Sequence, residues 1–302
     1  MFLGRDRSPQ DLVSHADAAM YQAKQDGRNT IRFHDAQMQA VLEKRGQLEQ
    51  AIRLALTRQE FRLHYQLQVN QHGHGVGVEA LIRWQHPEQG TIPPAEFIPL
   101  AEETGLIVPI GKWVMETACR QIKAWQRHPG MAGLTVAVNV SARQFQDPGF
   151  VDHVSALIDE TRIPRGHLKL ELTESMVLKQ IEESIKKMNA LRALSVRFSL
   201  DDFGTGYSSL AYLKRLPVDQ IKIDRSFVLD LTRNPHDAVI VKAILSLAGS
   251  LGLEAIAEGV ETGEQRHFLE QHGCLAYQGF LYSKPVPAEV LERARASESV
   301  PA

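Results

Sequence analysis

The chain has 302 residues, and its 34 Lys and Arg against 36 Asp and Glu leave a formal net charge of only −2. This balance gives no overall attraction to DNA, RNA or an anionic membrane surface, so an anionic substrate would have to be held by local Lys or Arg or by a metal. No stretch approaches the roughly 18 apolar residues of a membrane span, and the charged start lacks the apolar core of a signal peptide.

These features predict a soluble, cytoplasmic chain with no direct membrane insertion, although a longer parent protein could be tethered to the inner membrane. The cysteine content agrees with this prediction. Cys119 and Cys274 lie far apart without a CxxC spacing. We expect both to be buried, reduced thiols, which favours a reducing compartment.

The first part of the chain predicts too little structure for a domain of its own. Residues 11–24 are Ala-rich with helical spacing, and a short strand follows at 30–33. Residues 36–57 then predict one long helix. Its apolar positions fall on one stripe, formed by Leu42, Leu48, Ile52 and Leu56. We interpret it as a connecting helix that leads into the main fold.

Strands and helices alternate through the rest of the chain. The predicted strands are 61–69, 76–84, 134–140, 168–172, 197–200, 220–223, 255–257 and 275–282, and the longer predicted helices are 105–127, 150–161, 176–194, 237–251 and 264–271. Eight strands separated by helices favour a closed α/β structure, a (β/α)8 TIM-like barrel, over an open doubly wound sheet. The first two strands must pair antiparallel, because residues 72–75 are too few for a crossover helix. The chain upstream would form a short N-terminal helical extension.

Seven strand-like runs end in a carboxylate, a side-chain amide or a Lys. They are 76–79, 135–139, 168–171, 196–202, 220–222, 254–258 and 275–278. In a parallel α/β barrel, the carboxyl ends of the strands meet at one face, where the active sites of this architecture lie. A ring of oxygen ligands would result there, and such a ring suits hard divalent cations such as Mg²⁺.

Two short glycine-containing segments have residues beside them that are common in functional sites. Gly204 and Gly206 follow two aspartates and predict hinges of a mobile active-site loop. His72 and His74 could suggest a metal site, since His is a common ligand. Their position in a short turn between two strands instead predicts a solvated hairpin turn. A dinucleotide-binding glycine fingerprint is absent from the sequence.

Seven motifs together resemble the EAL domains, which are bacterial cyclic di-GMP phosphodiesterases. They are Glu79-Ala80-Leu81, Asn139-Val140-Ser141, ELTE at 171–174, DDFGTGYSSL at 201–210, Lys222-Ile223-Asp224, EGVET at 258–262 and Gln278-Gly279-Phe280. Their order and spacing are similar to that family from about residue 49 to residue 292. One departure is Leu67, where family members commonly carry Pro.

Residues 16–29 resemble the last helix and strand of a GGDEF domain, which is the diguanylate cyclase family. The GGDEF signature itself is missing, so we expect no cyclase activity. The resemblances divide the chain into a GGDEF-like remnant at 1–35, the connecting helix at 36–57 and an EAL barrel at 58–297. The chain would then be part of a protein with upstream GGDEF or sensor domains.

The resemblance implies a metal site. Hydrolysis of a phosphodiester needs a hydroxide-like nucleophile and neutralisation of charge on the phosphoryl oxygens, and two divalent cations about 4 Å apart supply both. We expect two Mg²⁺ or Mn²⁺ ions. By resemblance, one is held by Glu79, Asn139, Glu171 and Asp201, and the second by Asp201, Asp202 and Glu261.

The resemblance also assigns roles to other side chains. Lys222 would orient or deprotonate the attacking water, Glu258 would position that water or a metal ligand, and Glu174 would anchor the loop at 204–209. Substrate contacts are expected from Gln66, Arg83 and Gln278, since a guanidinium suits a phosphate.

These assignments predict hydrolysis of cyclic di-GMP to linear 5′-pGpG, by a homodimer formed through the loop region and its neighbouring helix. A non-catalytic cyclic di-GMP receptor is the alternative, although no catalytic position is replaced. A third interpretation is a barrel lyase or aldolase with Lys222 as Schiff-base former. It conflicts with the surrounding acids, because such a lysine needs a lowered pKa.

Overall fold

A computed structural model describes residues 36–204 and 210–298, together with Val13 and Met20. The helix predicted at 11–24, apart from those two residues, and the strand predicted at 30–33 lie outside the described residues. So does most of the predicted mobile loop, at 205–209. The GGDEF-like part of the chain is therefore still known from its sequence alone.

Nine strands and twelve helices follow one another in the described ranges. The strands are β1 Phe61–Asn70, β2 Gly75–His86, β3 Gly90–Ile92, β4 Thr135–Asn139, β5 Leu168–Thr173, β6 Arg197–Phe203, β7 Gln220–Ile223, β8 Glu254–Ala257 and β9 Ala276–Gln278. The helices are α1 Ala36–Thr57, α2 Pro94–Thr104, α3 Ile107–Trp125, α4 Ala142–Gln146, α5 Phe150–Thr161, α6 Glu174–Lys179, α7 Ile181–Ala193, α8 Leu210–Leu213, α9 Arg225–Leu229, α10 Pro235–Leu251, α11 Gly263–Gln271 and α12 Ala288–Glu298.

Eight of the strands close into a barrel. Their order is β1-β9-β8-β7-β6-β5-β4-β2, and a β1–β2 pairing completes the ring, while β3 extends β2 as an outer hairpin. Strand β1 runs antiparallel to both neighbours, and the steps from β2 through β4 to β9 are parallel. The predicted barrel with an antiparallel first strand is therefore confirmed.

Strand β5 shows how the sequence builds this barrel. Leu168, Leu170 and Leu172 alternate with Lys169 and Glu171, and all five are buried. Because successive side chains of a strand point to opposite faces, the leucines pack on one face and the polar side chains lie on the other. Both faces of the barrel wall are thus covered, and the polar residues are directed into the barrel interior.

The helices differ from the predicted elements in a few places. The helix predicted at 105–127 is confirmed as α3, whereas α2 before it was not predicted and is closed by Gly105, whose φ of +83° is the left-handed conformation that ends a helix. The helix predicted at 176–194 is divided at Gln180 into α6 and α7. Helix α12 was not predicted, and the last strand ends at Gln278, before the predicted residue 282.

Helix α1 packs on the barrel through its second half. Ile52 and Ala55 are fully buried, and the guanidinium of Arg45 forms an ion pair with Glu103 of α2. The predicted helix at 36–57 is confirmed, whereas its role as a connector between domains stays a prediction. None of the helices in the described ranges is both long enough and apolar enough to span a bilayer.

The minor expectations from the sequence are also met. His72 and His74 are exposed in the turn between β1 and β2, where Asn70 Oδ1 accepts hydrogen bonds from both of their backbone N–H groups. Cys119 and Cys274 are buried and unpaired, and burial raises the pKa of each thiol to about 12. These thiols are therefore packing residues with little thiolate character.

Candidate functional site

The ammonium of Lys222 lies at the centre of the site, at the carboxyl end of β7. Four carboxylates from four other strand ends surround it. Its Nζ is 2.6 Å from Glu258 Oε1, 2.7 Å from Glu171 Oε2, 3.2 Å from Asp201 Oδ1 and 3.9 Å from Glu79 Oε1. Burial alone would lower the pKa of Lys222, but the four carboxylates outweigh it and raise this pKa well above its usual value. The lysine is therefore a fixed cation.

Glu79 is held by hydrogen bonds at both of its carboxylate oxygens. Asn139 Nδ2 donates to Oε1 at 2.6 Å and Gln278 Nε2 donates to Oε2 at 2.5 Å. Burial would raise the pKa of Glu79, but Lys222 and these two donors reverse the effect and lower it. Glu79 is thus an ionised carboxylate whose orientation is fixed by donors from β4 and β9.

Glu171 and Glu258 behave in the opposite way. Burial, followed by the repulsion from neighbouring carboxylates, raises the pKa of Glu171 well above its usual value. Burial and the charges of Asp201 and Glu79 raise the pKa of Glu258 to about 8, although Lys222 acts against the shift. Burial therefore favours the protonated forms of Glu171 and Glu258, and a cation bound beside them would favour their ionised forms.

The residues fit a divalent cation by their chemistry. The donors are carboxylates and one amide oxygen, the set that Mg²⁺ and Mn²⁺ prefer. Asn139 uses its NH2 group for Glu79, so its carbonyl oxygen would be the ligand. Glu171 Oε1 is buried and has no hydrogen-bond partner in the described ranges, and buried polar atoms are normally paired. Glu79, Asn139, Glu171 and Asp201 could therefore hold a cation.

The carboxylates nevertheless converge on Lys222. Within the described residues, no three His, Cys, Asp or Glu side chains form a group with the geometry of a metal site. A cation at this position would have to share oxygens that now contact the ammonium, so the lysine and the cation would compete for the same charge. This competition is the main physical feature of the site.

The residues expected at the second cation have different surroundings. Glu261 forms a 2.8 Å ion pair with Arg225. Asp202 is exposed at a backbone φ of +54°, where β6 is irregular. Burial and the nearby Asp201 raise its pKa. A cation held by Glu261 would therefore have to displace its ion pair with Arg225.

The other predicted residues occupy three different places. Gln66 lies beside the site, where it accepts a 3.1 Å hydrogen bond from Gln278 Nε2. Arg83 is half-buried further along β2 and donates to the carbonyl of Ile82 at 2.8 Å. Glu174 is buried at the start of α6, and its Oε2 has no hydrogen-bond partner in the described ranges. Since 205–209 lie outside those ranges, the anchoring role of Glu174 stays a prediction.

A pocket of about 180 Å³ opens above Lys222. Its wall includes two residues to which the sequence analysis gave no role, Arg225 and Phe280. Half of the Phe280 side chain is exposed, and the cationic groups of Arg225 and Lys284 lie over its ring, 5.9 and 5.6 Å from the centroid. Their positions in the sequence could have indicated a place at the site, since Arg225 follows Lys222-Ile223-Asp224 and Phe280 follows Gln278-Gly279.

Comparison with known proteins gives one family. The sequence profile described as "EAL domain" matches residues 49–285. The bifunctional diguanylate cyclase/cyclic di-GMP phosphodiesterase MucR of Pseudomonas aeruginosa is 46% identical over 292 residues, which are 96% of this chain and 42% of MucR. The cyclic di-GMP phosphodiesterase PdeR of Escherichia coli is 40% identical over 282 residues, 93% of this chain and 42% of PdeR. The chain thus spans less than half the length of these relatives.

Solved structures are similar as well. The PaMucR phosphodiesterase in its c-di-GMP complex has a TM-score of 0.79 at 48% identity, over 81% of this chain and 99% of that chain. The FimX EAL domain of Pseudomonas aeruginosa bound to c-di-GMP has a TM-score of 0.72 at 26% identity, over 79% of this chain and 96% of that chain.

Proposed function

Because the chain belongs to the EAL domain family, we propose that it hydrolyses cyclic di-GMP to linear 5′-pGpG with the help of divalent cations. The observation that carries this proposal is the cluster at Lys222, where four carboxylates and one amide lie at the carboxyl ends of the barrel strands. The family profile and the names of MucR and PdeR support the substrate.

The proposed reaction is an in-line displacement at one phosphodiester. A water oxygen forms the new P–O bond, the P–O3′ bond breaks, and the leaving O3′ takes a proton. The cations would be Mg²⁺ or Mn²⁺, held by Glu79, Asn139, Glu171 and Asp201, with Asp202 and Glu261 serving a second ion. When bound, they would activate the water and neutralise charge on the phosphoryl oxygens.

The proton chemistry falls to Glu258 in this proposal. The raised pKa of Lys222 makes its ammonium a poor base, so the lysine orients the nucleophile and balances charge. Glu258 accepts a 2.6 Å contact from this ammonium, and its pKa of about 8 would fall toward neutrality beside a bound cation. The same raised lysine pKa counts against a Schiff-base lyase, which needs a neutral amine.

Substrate placement follows from the size of the pocket. About 180 Å³ is below the roughly 300–1,000 Å³ of sites that enclose a drug-sized ligand. The pocket would therefore take one phosphodiester and its sugar, with the bases on the open rim. Gln66, Gln278 and Arg83 are the proposed contacts, and the exposed ring of Phe280 adds an apolar surface beside them.

The test is a nucleotide assay with the purified chain. Cyclic di-GMP is incubated with Mg²⁺ or Mn²⁺, with a chelator in the control, and the products are separated by chromatography. Cation-dependent appearance of 5′-pGpG supports the proposal. Intact nucleotide that nevertheless binds in calorimetry would identify the receptor alternative, and conversion that is unaffected by the chelator would exclude the cation-dependent mechanism.

Two variants separate the proposed roles of Glu79 and Lys222 in the same assay. Glu79→Gln should raise the cation concentration needed for half-maximal rate, since it removes a ligand charge, and high Mn²⁺ should restore part of the rate. Lys222→Met should lower the maximal rate by at least about 100-fold, the usual scale of a general acid–base or charge-stabilising group. Lys186→Met, at an exposed position of α7, is the matched control with unchanged rate.

We also propose the larger context of the chain. The alignment with MucR covers 96% of the chain and so extends beyond the EAL segment. This extent supports a GGDEF-like remnant at 1–35 and upstream domains in a longer protein. A homodimer through the loop after β6 and its neighbouring helix is proposed from the family resemblance, and light scattering of the purified chain would test it.

A further inference from the structure

A cavity lies at the end of the barrel opposite to Lys222. It has a volume of about 500 Å³ and is lined by residues at the amino ends of the parallel strands, with Lys169 of β5, Arg197 of β6 and Gln220 of β7 among them. Lys169 precedes Glu171 by two positions and Gln220 precedes Lys222 by two positions. The cavity therefore lies one layer of side chains below the site described above.

Lys169 is a buried cation without a buried anion beside it. Lys169 is 3% exposed, and its Nζ donates a 2.9 Å hydrogen bond to Gln220 Oε1. No carboxylate of the described residues lies within 4.0 Å of this ammonium, whereas Lys222 has four. An ammonium carries three donors, and a buried charge is normally paired.

The neighbouring polar groups do not supply the missing charge. Gln220 Oε1 also accepts from Ser199 Oγ at 3.3 Å, and Gln220 Nε2 donates to Glu254 Oε2 at 3.4 Å. The other oxygen of Glu254 faces the guanidinium of Arg197 at 3.3 Å. Arg197 and Glu254 are paired to each other, and the charges of Glu171 and Glu254 act on Lys169 only from beyond 4.0 Å, so its ammonium has no carboxylate of the described residues at ion-pair distance.

Gln68, Asn70 and Thr135 also line the cavity, and most of the remaining wall is apolar. Leu245, Leu253 and Ile256 line the cavity, and Val76 and Leu275 at its rim are 41% and 55% exposed. An apolar cavity of this volume with a few convergent polar groups is the usual form of a small-molecule site. A role in stability alone would be met better by an apolar residue at position 169, because an unpaired buried charge is unfavourable.

We propose that this cavity binds a small organic anion, whose carboxylate or phosphate group accepts hydrogen bonds from Lys169 and whose apolar body packs against Leu245, Leu253 and Ile256. The inference is independent of the function proposed for the opposite end of the barrel. It can fail while that function holds, and the reverse is also true.

The test uses three probes that share a phenyl ring and differ in charge. Benzoate, phenyl phosphate and benzamidine are titrated separately into the full chain, and dissociation constants are measured by NMR. The proposal expects one or both anions to bind, and benzamidine to bind at least about tenfold more weakly, the loss expected for a charged hydrogen bond. The tighter of the two anions identifies the preferred head group.

Two variants locate the binding. Lys169→Met should weaken the binding of both anions by about tenfold or more. Circular dichroism checks that the variant is folded. Gly249→Trp should block the mouth of the cavity without disturbing the core, because Gly249 lies in α10, lines the cavity and has nothing within 4 Å of a new Cβ. Gly46→Trp is the matched control, since Gly46 is a helical glycine of α1 with equally open space.

Three results would overturn the proposal. They are the absence of measurable binding by either anion up to its solubility, equal binding of benzamidine, and an anion affinity that Gly249→Trp leaves at the level of Gly46→Trp. Anions that bound at the opposite end of the barrel would give this last result, so the Gly249→Trp variant distinguishes the two sites.

Discussion

Charge balance around Lys222 dominates the chemistry at the scale of single residues. One ammonium lies within 4 Å of four carboxyl groups, and burial raises the pKa values of two of them, Glu171 and Glu258, despite its charge. Lys222 and a divalent cation would both stabilise negative charge on the same carboxylate oxygens. We therefore expect the stability of the site to depend on whichever cation is present.

Removal of the ammonium should make folding depend on a metal. Lys222→Met leaves buried carboxylates without a counter-charge, and breaking a buried ion pair costs about 3–5 kcal/mol. In the presence of a chelator, the free energy of unfolding in urea should fall by about that amount, and Mg²⁺ or Mn²⁺ should restore most of it. Lys186→Met should change neither value. A loss that the cations leave unrestored would contradict the shared role of lysine and cation.

The raised pKa of Glu258 predicts a pH dependence of stability. This pKa is about 8 in the folded chain against an ordinary value of 4.5. Between those pH values the folded chain retains a proton that the unfolded chain loses, so the free energy of unfolding falls as the pH rises. Below about 4.5 the contribution is absent, and above about 8 its full cost is present.

The measurement compares the wild-type chain with Glu258→Gln in urea unfolding at several pH values, with a chelator present. The wild type should lose about 2 kcal/mol relative to the variant between pH 5 and pH 8, less than the whole shift would give because part of the carboxylate reaches solvent. Parallel pH profiles of the two proteins would show that Glu258 titrates normally.

At the scale of elements, the geometry of the site depends on the segment that follows β9. Gln278 ends the strand and donates to Glu79, and the chain must then pass close to the segment after β8. A Cβ on Gly279 would lie 2.1 Å from the carbonyl oxygen of Val260 and 2.4 Å from its backbone N. Glycine is therefore required there by the close approach of two backbones.

Substitution of this glycine should be costly. We expect Gly279→Ala to lower the free energy of unfolding by about 3 kcal/mol, the upper range for overpacking, because a backbone must move. It should also weaken activity by displacing Gln278 from Glu79. Gly133→Ala is the control, since nothing lies within 4 Å of its new Cβ. Equal stability of the two variants in urea unfolding would disprove the steric argument.

The barrel and its covering helix form the stable unit at the scale of the whole molecule. Helix α1 contributes the fully buried Ile52 and Ala55 to the same core as the strands. The family profile begins at residue 49, so the second half of α1 belongs to the matched segment. What lies before this helix should not be needed for the barrel to fold.

Two shortened chains test this division. A chain that begins at residue 36 should unfold at the same temperature as the full chain and keep its nucleotide-hydrolysing activity. A chain that begins at residue 58 should lose its cooperative thermal transition, because the core under Ile52 becomes exposed and each lost large apolar contact costs about 2–5 kcal/mol. A lower transition temperature for the first chain would show that residues 1–35 stabilise the barrel.

The sequence by itself determined the barrel and the face at which its polar strand ends meet. The alternation of strands and helices, the four-residue turn at 72–75 and the polar strand ends fixed the closed sheet, because short connections and two-residue periodicity leave few alternatives. Residues far apart in the sequence, such as Glu79 and Gln278, which are 199 positions apart, could be expected at one face for the same reason.

Only the tertiary structure decided how the charges are shared. The central place of Lys222, the pairing of Glu261 with Arg225 and the unpaired Lys169 depend on the stagger of neighbouring strands, which sets which strand-end side chains are level with each other. No local pattern encodes that stagger. It follows from closing eight strands into a ring, because the tilt required for closure fixes the register of all of them together.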